Sequence, residues 1–334
     1  MRPILTRTLQ TIFADLVEQV ETAPVAGTMY TRRRGGIPYL YAKLPVGAER
    51  IDLFLGRAGD AEAIARADDL RRGMALARRR RRTVSMLRRE GFAGPDRILG
   101  TILDSVAHAG LFRRNAVLVG TAAYRMSEAL AGAFLPAPTL MTGDLDLATA
   151  DLALAAEPPE SFEAILRRAD PSFRPVMPLD PRRPASRFHN ADGFLVDLIT
   201  PVRRRTDPNP MPLPALDAGA VPLQQLDWLI EGPVRTIALW GAGIAINVPR
   251  PARYAVHKLM LAQRRDTGSR VKRAKDLAQA QALVAALTAQ DPFALEDALD
   301  DARKRGRKGW SEPIARSLAE IAAMTEASGP PGRG

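Results

Sequence analysis

Apolar and polar positions alternate with different periods along the chain, and these periods predict its secondary structure. Residues 2 to 22 carry apolar side chains at helical spacing, and three short alternating segments after them predict antiparallel strands. A long helix is predicted from about Asp60 to Glu90, and another from Asp96 to His108. Helical spacing returns beyond Pro251 and continues to about Ala327. The three predicted strands cover residues 27–30, 37–44 and 50–56.

The middle of the chain has the pattern of buried strands joined by turns. Residues 116–119 form an apolar run that is too short and too rich in branched side chains for a helix, so they predict a buried strand. Gly120-Thr121 interrupts this run, and the composition of residues 122–133 favours a helix. A strand that turns into a helix aims free backbone N–H groups above the turn, and these groups suit an anion. Residues 201–222 are rich in proline and predict a loop over or beside this site.

Three aspartates follow in segments that are otherwise apolar. Asp144 and Asp146 alternate with apolar residues, so in a strand both would point to one face, roughly 6–7 Å apart along the backbone. Like charges that close repel one another, and a divalent cation is the usual reason to keep them together. Asp197 lies inside the apolar segment 193–199, where a charge without a partner would be costly. Asp144 by itself could equally be a turn residue after Gly143.

This ordered set of features resembles the polymerase-β-type nucleotidyltransferases. Their signature is an apolar strand, a Gly-Gly or Gly-Ser turn, a helix and an Asp-x-Asp strand, with a third acid on a neighbouring strand. The runs GLFRRNAVLVGTAAY and TGDLDLA are similar, more narrowly, to a bacterial branch of proteins with this fold. Thr121 stands where many relatives have Gly or Ser, and its hydroxyl can make the same phosphate contact. The resemblance implies an α+β fold with a mixed sheet and helices.

The resemblance also implies a reaction and a set of site residues. The reaction is a Mg²⁺-dependent transfer of a nucleoside monophosphate from an NTP to an acceptor hydroxyl, with release of pyrophosphate; Mn²⁺ is an alternative ion. Gly120 and Thr121 would hold the triphosphate. Arg187 is a further substrate-binding candidate, because its guanidinium is planar and permanently charged. The implied catalytic residues and metal ligands are Asp144, Asp146 and Asp197.

The C-terminal helices weakly resemble the helical tails of abortive-infection-type nucleotidyltransferase toxins. The similarity rests on a His-Lys-Leu run that contains Lys258 and on a Lys-Asp-Leu run that contains Asp276. In those proteins a tail lysine and aspartate help to hold or activate the substrate, so the resemblance implies that Lys258 binds nucleotide. A Lys-Asp pair on a solvated helix face, with Lys258 in solvent, is the alternative.

Composition narrows the functional classes. The absence of cysteine excludes a disulfide framework and Cys-ligated zinc, and the three histidines are too scattered for a His-rich metal site. A net charge of +11 suggests a polyanionic partner such as RNA. Lysine occurs at only six positions, however, so almost all of the positive charge is arginine, a bias that genome composition alone can produce.

Two clusters in the N-terminal region are candidates for nucleic-acid contact. Tyr30, Tyr39 and Tyr41 lie close in sequence to Arg32–Arg34, and aromatic faces with arginines bind bases and phosphates. A folding scaffold with a basic hairpin explains the same residues. The run Arg78–Arg82 covers every face of its predicted helix, so it is either a solvated helix face or a contact to a phosphate backbone.

These patterns together predict the organisation of the chain. We expect an N-terminal module at residues 1–105, a catalytic domain at 106–250, a helical domain at 251–327 and a disordered tail at 328–334. No run reaches the length of a membrane span, and the N-terminus lacks a signal-peptide pattern, so we expect a soluble cytoplasmic protein. The rival function is a non-catalytic nucleic-acid-binding or regulatory protein that keeps the fold. Clustered acids facing an anionic ligand argue against it. The NTP, the acceptor and the oligomeric state stay open.

Overall fold

The computed structural model describes residues 4–22, 27–46, 49–137, 143–149, 160–178, 180–202, 204, 208–265 and 269–327. Its helices are α1 (Arg7–Thr22), α2 (Ala61–Arg89), α3 (Arg97–His108), α4 (Gly120–Arg125), α5 (Glu128–Ala131), α6 (Phe162–Ala169), α7 (Leu226–Leu229), α8 (Pro251–Ala262), α9 (Arg270–Gln290), α10 (Pro292–Lys304) and α11 (Glu312–Ala327). Its strands are β1 (Thr28–Arg34), β2 (Ile37–Val46), β3 (Glu49–Arg57), β4 (Val117–Val119), β5 (Asp144–Ala148), β6 (Arg174–Pro175), β7 (Arg187–His189), β8 (Leu195–Pro201), β9 (Met211–Leu213), β10 (Ala218–Leu223), β11 (Val234–Ala238) and β12 (Ile244–Val248).

The N-terminal region confirms the predicted helix, three strands and long helix. Strands β1, β2 and β3 form an antiparallel sheet in that order. Alternation along the strands turns Leu40, Ala42 and Leu55 towards α2, where they pack with Ala63, Met74 and other apolar side chains. Helix α2 begins after Asp60, whose carboxylate accepts a hydrogen bond from the free N–H of Glu62.

The central sheet is mixed, which confirms the α+β fold. Its strand order is β4-β5-β8-β10-β9, and β6 and β7 form a ribbon attached to β8. Strand β8 runs parallel to β5 and β10, whereas β4 is antiparallel to β5 and β7 is antiparallel to β8. Alternation buries the apolar residues of β5 and β8 in the core and leaves their aspartates on the opposite face. The buried members are Leu145, Leu147, Val196 and Leu198.

Two predictions for the middle of the chain are wrong. The single helix expected at 122–133 is split into α4 and α5 at Met126–Ser127. Tertiary contacts hold the break, because the buried Glu128 carboxylate accepts hydrogen bonds from the backbone N–H groups of Ala93 and Leu135. The loop expected at 201–222 contains β9 and β10, which extend the central sheet. Its residues 218–220 are small, apolar and buried and pair with β9, and residues 221–223 pair with β8 despite the nearby prolines.

The C-terminal helices pack against the sheet rather than apart from it. One cluster of buried apolar side chains runs from Leu99 through the sheet to Ile321. Helices α8 and α9 lie side by side, and α8 begins directly after β12. The proposed division into separate domains therefore stays a prediction, and the expected disordered tail at 328–334 lies outside the described residues.

Candidate active site

The site is built around the turn at the end of β4. Gly120 has a backbone φ of 66°, in the left-handed region that glycine adopts without a steric cost. A Cβ atom at this position would lie 2.5 Å from Oδ2 of Asp146. Glycine is thus required twice, once by the turn itself and once by the close approach of the turn to a carboxylate.

Strand register brings the three predicted aspartates together on the same face of the sheet. Asp146 lies opposite Val119 of β4 on one side and opposite Asp197 of β8 on the other. Asp144 is exposed, whereas Asp146 and Asp197 are half-buried. Among the described residues, nothing donates a hydrogen bond to the Asp144 or Asp146 carboxylate and no cation forms an ion pair with either.

This arrangement makes the charge of Asp146 unfavourable. Burial, together with the neighbouring carboxylates of Asp144 and Asp197, raises its pKa from 3.8 to about 6. Lys258 and Lys275 act in the opposite direction. The Asp146 carboxylate therefore sits where an added cation would be strongly stabilising.

Arg187 binds the third aspartate directly. Its Nε and Nη2 donate to Oδ1 and Oδ2 of Asp197 at 2.6 and 2.7 Å, a two-pronged ion pair across β7 and β8. Hydrogen bonding to this carboxylate raises the pKa of Arg187. Over the part of the chain that the structure describes, no three His, Cys, Asp or Glu side chains are grouped as a metal site. That all three aspartates share metal ions accordingly stays a prediction.

Helices α8 and α9 support the turn from the other side. Lys275 Nζ lies 3.0 Å from the Thr121 hydroxyl, and the Tyr254 hydroxyl lies 2.9 Å from the Gly120 carbonyl oxygen. The same tyrosine oxygen is 3.1 Å from Oε1 of Gln279. The turn is thereby held on both of its residues, one through its backbone and one through its side chain.

Sequence reasoning missed Lys275 and Tyr254. The available signal was weak: Lys275 precedes Asp276 in the Lys-Asp-Leu run, and Gln279 follows Lys275 by four residues, which places the two polar side chains on one helix face. Nothing in the sequence near Tyr254 indicated that its hydroxyl would reach Gly120.

Lys258 and Asp276 are not solvated, so the alternative of a solvated helix face is wrong. Lys258 is 8% exposed and Asp276 is 1% exposed. Lys258 Nζ donates to Oδ1 of Asp276 at 2.6 Å, and Arg265 Nε donates to Oδ2 at 3.0 Å. From this buried position, the positive charge of Lys258 also lowers the pKa of Asp146. Its predicted contact with nucleotide stays a prediction.

The run Arg78–Arg82 is not uniform. Arg80 is buried and its Nη1 donates to the backbone oxygen of Gln19 in α1, because it lies on the face of α2 that packs inward. The other four arginines of the run are exposed. Packing therefore describes one of these residues, and for the four exposed ones a contact with a phosphate backbone stays a prediction.

The mixed sheet, the Gly-Thr turn and the aspartates on adjacent strands define a nucleotidyltransferase-type domain. A family model described as "Nucleotidyltransferase" matches residues 97–304, which is more than half of the chain. The protein belongs to this family, so nucleotidyl transfer is its general activity and a nucleotide is a substrate. Comparisons with curated proteins and with solved structures gave no match.

The match covers the whole candidate site. It begins in the first turn of α3 and ends with α10, so it includes Gly120, the three aspartates and the lysines of α8 and α9. The sheet β1–β3 and helix α2 lie before it. Within the described residues, no helix has both the length and the apolar character needed to cross a bilayer.

Proposed function

We propose that the protein transfers a nucleoside monophosphate from an NTP to an acceptor hydroxyl and releases pyrophosphate. The observation that carries the proposal is the pair Asp144 and Asp146, which shares one face of the sheet, has Asp146 against the Gly120 turn and has no cationic partner among the described residues. A pair of carboxylates kept beside a third, at the cost of a raised pKa of Asp146, indicates a ligand that brings positive charge.

Mg²⁺ fits this donor set. The ion is commonly bound through one or two carboxylates and completed by water and substrate phosphate oxygens, so Asp144 and Asp146 suffice as its protein ligands. When bound, Mg²⁺ would neutralise the triphosphate and polarise the phosphorus–oxygen bonds. Asp197 would join as a ligand only after Arg187 releases one of its carboxylate oxygens.

The side chains around the turn have distinct tasks in this proposal. Thr121 and Lys275 would bind the triphosphate, since a hydroxyl and an ammonium group lie together where it would rest. Tyr254 would keep the turn open by holding the Gly120 carbonyl oxygen. Lys258 would contribute positive potential from its buried pair with Asp276 and Arg265.

The reaction itself is a substitution at the α-phosphorus. The acceptor oxygen forms a bond to this atom while the bond to the bridging oxygen of the β-phosphate breaks, and pyrophosphate leaves. Asp197 would accept the acceptor's proton, and Arg187 would orient its carboxylate. We also propose that the protein acts in the cytoplasm, where NTPs and hydroxyl-bearing acceptors such as RNA are available.

The experiment that tests the function supplies each NTP separately, labelled in the α- or γ-phosphate, with Mg²⁺ and total RNA or cell lysate. Label from the α-phosphate should enter an acceptor, and label from the γ-phosphate should appear as pyrophosphate. Asp144→Asn and Asp146→Asn should abolish incorporation, because even groups that only support metal ligands contribute roughly 10–100-fold.

Two results would contradict the proposal. Incorporation at the wild-type level in Asp146→Asn would remove the carboxylate pair from the site. Transfer of the γ-label to the acceptor would identify a phosphotransferase instead.

A further inference from the structure

The outward side of the β1–β3 sheet carries a group of rings that the family's domain does not include. Residues facing away from α2 alternate with the buried ones, and register places Tyr30, Tyr41 and Phe54 side by side across the three strands. Tyr39 is the neighbour of Tyr41 on the same face and lies beside Phe54. We call this surface the aromatic face.

The rings form a continuous platform. Tyr30 and Tyr41 stack with centroids 5.3 Å apart and 16° between their planes, and Tyr41 meets Phe54 edge-on at 5.3 Å. Phe54 is 55% exposed, so much of its ring contacts solvent. The protein has five tyrosines, of which three lie here, whereas Tyr124 and Tyr254 are buried in the core.

Arginines surround this platform without acidic partners. Arg32 lies opposite Tyr39 on β1, Arg57 lies opposite Tyr39 on β3, and Arg34 follows two residues beyond Arg32. All three are exposed, and none forms an ion pair within the described residues. The acid Asp52 also lies on this face, beside the Tyr30 hydroxyl, and the three arginines outnumber it.

The neighbouring helix α2 carries arginines of both kinds, since the four exposed arginines of the run Arg78–Arg82 form no ion pair among the described residues, whereas three others do. On α2, Arg66, Arg71 and Arg72 each pair with an aspartate or glutamate three or four residues earlier. Cross-strand ring contacts alone would explain a stable sheet. They would not explain uncompensated cations around a ring that is left open to solvent.

We propose that the aromatic face binds single-stranded nucleic acid, with unpaired bases stacking on the exposed rings and phosphates contacting the three arginines. Unpaired bases offer flat faces that a duplex keeps inside its stack, and aromatic side chains bind such faces with little regard to sequence. The charges match a phosphate backbone. This surface goes beyond the proposed transfer reaction, since binding here requires neither NTP nor the aspartates.

The test measures binding of fluorescent single-stranded RNA and DNA of about 20 nucleotides by anisotropy, without NTP and over a range of salt. Phe54→Ala should weaken binding roughly 5- to 140-fold, as expected for the loss of one base-stacking contact. Phe293→Ala, which removes a 76% exposed ring from α10, is the matched control and should leave affinity unchanged. Phe54→Leu, milder for folding, should give an intermediate loss.

The arginine contribution is separated by two triple variants of equal net charge. Arg32→Gln/Arg34→Gln/Arg57→Gln should reduce the salt slope of log affinity by about 2, because each lost single-strand phosphate contact removes about 0.7. Arg66→Gln/Arg71→Gln/Arg72→Gln changes ion-paired arginines and should leave that slope nearly unchanged.

Further measurements identify the type of nucleic acid and separate binding at the aromatic face from catalysis at the active site. Preference for the RNA or for the DNA strand would identify the sugar, and equal affinities would show that the face reads bases and phosphates only. Asp146→Asn should bind like the wild type, so loss of transfer with intact binding concerns the active site alone.

Three results would overturn the inference. The first is equal affinity of Phe54→Ala and Phe293→Ala for single strands, and the second is tighter binding of duplex than of single strands. The third is a Phe54-dependent interaction with polyglutamate, or with phosphatidylcholine vesicles containing phosphatidylserine, in the absence of oligonucleotide binding.

Discussion

Two groups of carboxylates beside the same turn differ in how their charge is compensated. Asp276 is 1% exposed and is bound by both Lys258 and Arg265. Asp144 and Asp146 lie on one face of the sheet, and within the described part of the chain neither has a donor or a cation in contact. The C-terminal helices therefore compensate the charge of their buried aspartate with their own cations, whereas the sheet does not compensate the charges of Asp144 and Asp146.

On our proposal, this difference separates the acid that maintains the fold from the acids that would serve a ligand. A buried charge that lacks a partner is destabilising, so proteins keep one where it has a use. Asp197 is intermediate, since Arg187 compensates its charge but remains half in solvent. Four changes to single residues can break or sharpen this comparison, beginning with the largest expected effect.

Replacing Asp276, whose charge is compensated by two cations, should have the largest effect on stability. Asp276→Asn would leave Lys258 and Arg265 without their carboxylate, and removing one partner of a buried ion pair costs about 3–5 kcal/mol. Unfolding in urea, followed by circular dichroism, measures this loss. Asp300→Asn removes an exposed pair on α10 and should change stability by less than about 0.5 kcal/mol. Similar values for both variants would show that Asp276 is not a structural acid.

Replacing Asp146, whose charge is not compensated, should change stability in the opposite direction. The folded state raises the pKa of Asp146 from 3.8 to about 6, so it keeps a proton that the unfolded chain loses in this range. The free energy of unfolding therefore falls as pH rises through that window. Asp146→Asn removes the penalty and should stabilise the protein at about pH 8 by up to about 3 kcal/mol, with EDTA present.

The pH dependence distinguishes this explanation from a general packing effect. The advantage of Asp146→Asn should shrink as the pH is lowered and should be nearly absent at about pH 3, below both pKa values, where wild-type Asp146 is mostly neutral in both states. An advantage that is the same at both pH values would argue against charge repulsion as its cause.

The turn glycine should show a smaller effect that depends on contact with Asp146. Gly120→Ala and Gly193→Ala both place a side chain at positive φ, which costs about 1–2 kcal/mol. A Cβ at Gly193 meets nothing within 4 Å, whereas one at Gly120 meets the Asp146 carboxylate. Gly120→Ala should therefore be the more destabilising variant and should also reduce nucleotidyl transfer. Equal transfer rates would mean that the turn does not need this close approach.

The smallest change in stability is expected for Arg187→Gln. The arginine side chain is 52% exposed, and surface ion pairs contribute less than about 1 kcal/mol. Thermal melting should therefore hardly change, while the dependence of transfer on Mg²⁺ concentration should shift because Asp197 becomes free to bind the ion. An unchanged Mg²⁺ dependence would restrict Arg187 to a structural role.

Much of the fold was predictable because it depends on local period. The apolar run before Gly120, the alternation around Asp146 and the position of Asp197 placed the strands of the site correctly. The split between α4 and α5 was not predictable, because Glu128 holds it partly through the backbone N–H of Ala93, which lies 35 positions earlier. Strand β10 was hidden by the prolines around it.

The positions of the candidate aspartates could be predicted from the sequence, whereas the contacts that support the turn could not. The local sequence is enough to identify Asp144, Asp146 and Asp197, because each is a charged residue in an otherwise apolar strand. The contacts of Tyr254 with Gly120 and of Lys275 with Thr121 join residues more than 130 positions apart, so only the packing of α8 and α9 on the sheet creates them. Burial of Lys258 depends on the same packing.

The most direct measurement of the central claim is calorimetric titration with a non-hydrolysable NTP analogue, in Mg²⁺ and then in EDTA. In Mg²⁺ the wild type should bind at least about 10-fold more tightly than Asp146→Asn, because the carboxylate helps to hold the ion on the triphosphate. In EDTA this advantage should disappear, because the carboxylate then only repels the phosphates. Equal affinities of the two proteins in Mg²⁺ would contradict the claim that the uncompensated acids are reserved for a metal-bound nucleotide.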